Sequence, residues 1–236
     1  MSTSTEPATN ASATEELSGL VVLHLFSHLP ASTDRAAIEL AIKEAQSKGD
    51  QVVTVSMLGH KADLGILALS ESPQRLRELQ SAVVRAGAVL TYSYLSLTEI
   101  SEYSGGVPEA MRLARIRPSL PPEGLTAFCF YPMSKRRGEE DNWFRLPYDD
   151  RKRLMMEHGV SGRTFAGRIT QLITGSTGLD EYEWGVTLFG RNLQDLKECV
   201  YQMRFDEASA RYADFGDFLT GVVASPHEVF EMMGWN

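Results

Sequence analysis

The residues able to do chemistry gather in the second half of this sequence. Tyr131, Met133 and Lys135 sit at alternate positions at the end of the apolar run Thr126–Met133. If the strand continues, all three project to one face. A lysine on a packed face needs a partner for its charge. The alternative is that the strand stops at Met133 and leaves Lys135 in water. Histidine is scarce, with five in the chain, so each can be weighed. His24 and His28 share a face of the first apolar run with no third ligand type near them in sequence, His60 lies in a turn and His227 near the end, and a structural or surface role is the better reading for all four. His158 follows the run Asp149–Glu157 and precedes Gly159. It reads as a histidine at a glycine-capped helix end, favoured by the dipole, or as an axial metal ligand held there. Trp143, Arg163, Gln171, Trp184, Arg204 and Ser209 add aromatic, cationic and hydrogen-bonding groups to the same half. The phosphate-cradling patterns GxGxxG and GxxxxGK[ST] are absent, as are GxSxG, HExxH and the EF-hand loop.

Composition limits what these groups can serve. The 236 residues carry 23 Lys+Arg against 31 Asp+Glu, a net charge of −8. That argues against generic binding of nucleic acid or anionic membrane, and an anionic ligand would need a local basic pocket. With 43% hydrophobic and 23% charged residues the chain is of ordinary globular composition. No run approaches the ~18 apolar residues of a membrane span. Residues 1–18 lack the basic and apolar regions of a signal peptide and read as a disordered polar tail. Cys129 and Cys199 sit in apolar stretches outside any CxxC pair, as buried thiols of a reducing compartment would. A cytoplasmic protein is expected.

The elements that must position these groups form a tandem pattern. Strands are expected at Leu20–His28, Val52–Leu58, Leu64–Leu69 and Val89–Leu97. Helices are expected at Ala31–Lys48, with Ser32 or Thr33 as N-cap and Gly49 as its stop, and from Ser72-Pro73 to Gly87. After a proline- and glycine-rich connection the order recurs. Strand Thr126–Met133, helix Pro147–His158, strands Phe165–Ile173 and Tyr182–Phe189, helix Asn192–Arg204 and strand Phe215–Val223 follow. Two βαββαβ units predict an α+β fold of two tandem ferredoxin-like halves, residues 19–116 and 117–236, fused as a dimeric α+β barrel within one chain. Closing the two sheets on each other removes exposed edges. Two independent α+β domains would satisfy the same pattern. The barrel is expected to have a polar, partly basic interior in its second half.

The stretch YPMSKRRGEEDNWFRLPYDDRKRLMMEHGVSGRTFAGRITQLITGSTGLDEYEWGVTLF, with MRFDEASARYADFG later, resembles the chlorite dismutase-like family. Within that family the match is to the branch that decarboxylates coproheme, over about residues 117–223. The resemblance implies hydrogen peroxide-dependent oxidative decarboxylation of two propionates of Fe-coproporphyrin III (coproheme) to vinyls. The product is haem b, reached through a three-propionate intermediate, and the C-terminal half binds the porphyrin. His158 matches the proximal iron ligand, and Tyr131 matches the tyrosine whose radical takes hydrogen from a propionate. Lys135 matches the lysine beside the second propionate to react. Met133 and Trp143 match pocket-lining positions, and Trp184 a proximal-side aromatic. Arg117, Arg204 and Ser209 match groups that orient propionates, and Arg163 one that serves substrate reorientation. Gln171 falls where chlorite-decomposing members carry arginine. The segment RLARIRPSLPP lacks the distal histidine that other decarboxylases supply there, so the chain resembles the Gln-type branch. The resemblance further implies a homopentamer and transient contact with coproporphyrin ferrochelatase. Chlorite dismutation, or a non-catalytic haem carrier, is the alternative.

Overall fold

The computed structural model describes residues 19–235, and the polar tail expected at residues 1–18 lies outside them. Strand β1 (Val21–His28) is buried on both faces, as its unbroken apolar run requires. Leu23 and Leu25 pack under helices, while Val22 and Phe26 point into the barrel. Helix α1 (Arg35–Ser47) starts later than expected. Asp34, not Ser32 or Thr33, is its N-cap, and its carboxylate accepts the Ala37 N–H at 3.0 Å. Strands β2 (Gln51–Met57) and β3 (Leu64–Ser70), helix α2 (Pro73–Arg85) and strand β4 (Val89–Thr98) complete the first βαββαβ unit. The loop-rich connection holds one helix the sequence pattern did not reveal, α3 (Glu109–Ile116).

The second unit consists of β5 (Ala127–Lys135), α4 (Tyr148–Arg163), β6 (Ile169–Gly175), β7 (Trp184–Gly190) and α5 (Leu193–Met203), followed by shorter pieces. The single strand expected at Phe215–Val223 is two, β8 (Ala213–Phe215) and β9 (Leu219–Val223), which both pair with β5 at different heights. Short helices α6 (Glu207–Ala210) and α7 (Pro226–Met232) flank them.

All strand pairings are antiparallel, and the sheet order β7-β6-β4-β1-β3-β2-β9-β5-β8 closes through β7–β5. The halves meet at two seams, β2–β9 and β4–β6. The resulting barrel is filled by Phe26, Val55, Leu67, Tyr94, Phe128, Phe130, Leu172 and Phe189. This corrects the expected polar, partly basic interior. The interior is aromatic, and its few polar groups mostly pair with one another, as His24 does with Thr187 at 2.9 Å. The chemistry-bearing residues lie instead on the outer face of the second-half strands, which the odd-numbered positions of β5 occupy.

Candidate functional site

Register fixes which side chains share that outer face. Met133 of β5 is paired with Trp184 of β7 and with Phe215 of β8, Trp184 with Gly175 of β6, and Gly175 with Leu97 of β4. The next row runs Tyr131–Val186–Ile173, and the next Cys129–Leu188–Gln171. Directly paired residues point the same way, so Tyr131, Met133, Trp184 and Gln171 share one surface. Leu97 and Ile173 are both more than a third exposed and extend it as an apolar wall. Neighbouring strands lie about 4.8 Å apart and residues along a strand about 3.4 Å, so Tyr131 and Gln171, two strands and one row apart, stand roughly 12 Å from one another.

Tyr131 is buried, with Phe218 stacked at 4.5 Å and Phe215 edge-on at 5.7 Å. Burial pushes its phenol well above the ordinary range. It therefore stays protonated at neutral pH and can give up an electron only together with its proton. β5 continues past Met133, so Lys135 is buried rather than solvated, at 8% exposure. Its ammonium donates to the Ala208 carbonyl at 2.6 Å and lies 4.3 Å from the Trp143 ring centroid. Burial lowers its pKa to about 8, against the raising effect of Asp206 and Glu183. Trp143 opens a short 3-10 turn after the charged loop. It is buried between Tyr212 and Tyr103, so it packs beneath Lys135.

His158 is not at a helix end. α4 runs through Gly159 and Gly162 to Arg163, with Thr164 as C-cap, and neither glycine adopts positive φ. A β-carbon on Gly162 would sit 3.8 Å from Met203 Cε and 4.0 Å from the Gln171 amide nitrogen, ordinary van der Waals contact, on the helix face His158 occupies one turn earlier. The His158 Nδ1 is engaged by Asp206 Oδ1 at 3.0 Å, with Ser209 Oγ at 3.4 Å. Burial alone would raise the Asp206 carboxyl, but bonds from His158 and Ser209 outweigh it and hold the group below the usual carboxylate range. With Nδ1 so fixed, Nε2 is the nitrogen available to a metal.

The cations are distributed more widely than expected. Arg204 is the C-cap of α5 and lies over Tyr201 at 4.3 Å and Phe205 at 5.2 Å. Arg163 ends α4, exposed. Neither has an ion-pair partner among the described residues. Arg117 instead pairs with Glu71 at 2.9 Å, just after α3. Two acids escaped sequence reasoning. Asp206 lies in the MRFDEASARY signature, where an Asp three residues before Ser209 is a helix-cap signal. Buried Glu183 accepts the Lys135 N–H at 2.8 Å and pairs with Arg137.

Comparison with known proteins bears on this arrangement. A family model described as Chlorite dismutase matches residues 33–224. The chain is 39% identical over 245 residues to the coproheme decarboxylase of Staphylococcus carnosus (strain TM300), across 93% of this chain and 97% of that protein. A solved structure described as a novel heme-binding protein from Thermus thermophilus superposes with a TM-score of 0.78 at 34% identity, covering 92% of this chain and 96% of that one. Chlorite dismutase from Candidatus Nitrospira defluvii, in complex with imidazole, superposes with a TM-score of 0.72 at 18% identity over 91% of this chain and 95% of that one. At that identity the likeness is one of fold.

Proposed function

The chain belongs to the chlorite dismutase family, and from that premise we propose that it decarboxylates coproheme oxidatively with hydrogen peroxide. Two propionates become vinyls and haem b forms through a three-propionate intermediate, the last step of coproporphyrin-dependent haem biosynthesis. The observation that carries the proposal is a histidine on α4 anchored at Nδ1 by Asp206, in a chain whose outer sheet face carries both Gln171 and Tyr131.

The residues present fit an iron porphyrin carrying four carboxylates. Leu97 and Ile173 offer an apolar wall to the ring, His158 Nε2 can bind the iron, and Arg163 and Arg204 keep guanidinium groups free of ion-pair partners among the described residues. Charge-assisted hydrogen bonds to such groups contribute about 1.5–3 kcal/mol each, so they orient a propionate as well as hold it. When bound, the iron porphyrin reacts with peroxide and supplies the oxidising equivalents. Tyr131 then gives up a hydrogen atom, and its phenoxyl radical takes one from the propionate carbon next to the ring. No acid or base at neutral pH could remove that unactivated hydrogen. Each propionic acid and one peroxide yield one vinyl, carbon dioxide and two waters. The aromatic packing of Phe215 and Phe218 holds the phenol in place, as a hydrogen transfer requires. Lys135 and Ser209 are assigned to propionate placement, and Met133, Trp143 and Trp184 to the walls. Arg117 joins the propionate-orienting groups in this reading only by leaving Glu71.

Gln171 weighs against chlorite dismutation. A neutral amide cannot hold an anionic oxychlorine species by full charge, as arginine can. We extend the proposal to a cytoplasmic homopentamer whose residues 117–236 carry the porphyrin and which meets coproporphyrin ferrochelatase transiently. No helix among the described residues is long and apolar enough to cross a membrane. The test is to add peroxide to the coproheme complex and follow porphyrin mass. Two successive losses, each of one carbon dioxide and two hydrogens, are expected. An unchanged porphyrin would favour a carrier, and oxygen release from chlorite at high turnover would favour a dismutase.

A further inference from the structure

We propose that Glu99 is a positioning residue at the edge of this outer sheet face, competing with a substrate propionate for the indole N–H of Trp184. The proposal rests on the coproheme reading above and assigns that site a residue its sequence signature does not include. Glu99 directly follows β4, whose last two residues, Leu97 and Thr98, pair with Gly175 and Thr174 of β6. Its carboxylate folds back over Gly175, where any β-carbon would collide with both carboxylate oxygens and the carbon between them. Gly175 is thus a cradle that the Glu99 side chain fills. From there Glu99 Oε1 accepts the Trp184 Nε1–H at 3.2 Å. Trp184 is paired with Gly175 on one side and Met133 on the other, so this contact lies along the row Met133–Trp184–Gly175–Leu97 of the outer sheet face.

Glu99 forms no ion pair among the described residues, so its negative charge is not cancelled locally. An indole N–H is a donor only, and it would otherwise be a natural anchor for a propionate. With Glu99 in place, a propionate gains that hydrogen bond only by displacing a like charge. The reaction gives this weakness a purpose. Two propionates must be cut, yet Tyr131 is one residue held rigidly by its neighbours. The porphyrin has to change its placement between the two cuts, and every tight propionate anchor slows that step. Glu99 keeps the Trp184 rim loose.

The test compares Glu99→Gln and Glu99→Ala with the parent, both at an exposed position where folding is not at risk. In the ligand-free proteins, the Trp184 indole N–H resonance is expected to move in both variants, and most in Glu99→Ala, where no acceptor remains. Coproheme titration should give about three- to tenfold tighter binding in both variants, since a like charge is removed. Haem b, with two propionates fewer, should gain less. On peroxide addition the three-propionate intermediate should accumulate in the variants and decline more slowly than in the parent. An unmoved indole resonance would overturn the contact. Variants that bind coproheme no more tightly and pass through the intermediate at parental speed would overturn the role of Glu99 alone. A parent that fails to bind coproheme would instead remove the reading on which the proposal rests.

Discussion

His158, the proposed iron ligand, is held by partners far away in sequence. Asp206 is 48 residues distant, half-buried, and bonded to Nδ1, which fixes the tautomer and enriches the imidazole in electron density. That partner was not legible in the sequence because only tertiary packing of α6 against α4 brings it there. The His158 signature itself was legible, although its place in the helix was not. Replacing Asp206 with Asn keeps the shape but removes the charge. Loss of such outer partners costs about 10–100-fold in metal affinity, so Asp206→Asn should weaken the iron–histidine bond by that order. Titration of coproheme with the iron absorption bands as readout measures this. A variant with parental affinity and spectra would show that Asp206 does not tune the ligand.

At the level of elements, strand alternation was readable and helix ends were not. The period of two placed Tyr131, Met133 and Lys135 together, and β5 keeps them so. Gly159 resembles a stop for α4, yet the helix continues through it to Arg163, with no positive φ at Gly159 or Gly162. A glycine inside a helix costs about 1 kcal/mol relative to alanine, which alone does not end it. The packing of β1 against the second half carries its own consequence through His24. That ring is fully buried, 4.1 Å from the Phe130 ring, and burial lowers its pKa from 6.5 to about 3. The unfolded chain binds a proton near pH 6.5 that the folded barrel refuses until about pH 3. Stability is therefore intact above the unfolded value and is lost as pH falls through the window between the two. Between about pH 7.5 and 5 the loss from this group alone is about 2 kcal/mol. Unfolding free energies from urea titration at the two pH values should differ by that much more in the parent than in His24→Phe. Equal pH dependence in both would show that His24 does not carry the effect.

For the whole molecule, the repeated βαββαβ layout made the barrel legible, because each half leaves sheet edges that only the other can cover. What the pattern could not show was which side of the sheet holds the chemistry, since alternation marks two faces without saying which is enclosed. The seams decide it by turning the aromatic face inward. Gly221 is critical to one seam. A β-carbon there would meet the Ser56 carbonyl, Val55 Cγ1 at 2.6 Å and Met57 Cα at 3.0 Å, all on β2. Gly221→Ala should cost about 1–3 kcal/mol by forcing β2 and β9 apart, read as a lower urea midpoint. An unchanged midpoint would mean that the seam is slack. In the proposed mechanism the closed barrel, the helix-borne histidine and the packed strand all serve one hydrogen transfer from Tyr131. The most direct measurement is porphyrin mass over time after peroxide is added to the coproheme complexes of the parent and of Tyr131→Phe. The variant should bind coproheme as the parent does, yet form neither the three-propionate intermediate nor haem b. Conversion by Tyr131→Phe at near-parental rate would contradict the account and move the radical to another residue, with Trp143 and Trp184 next in line.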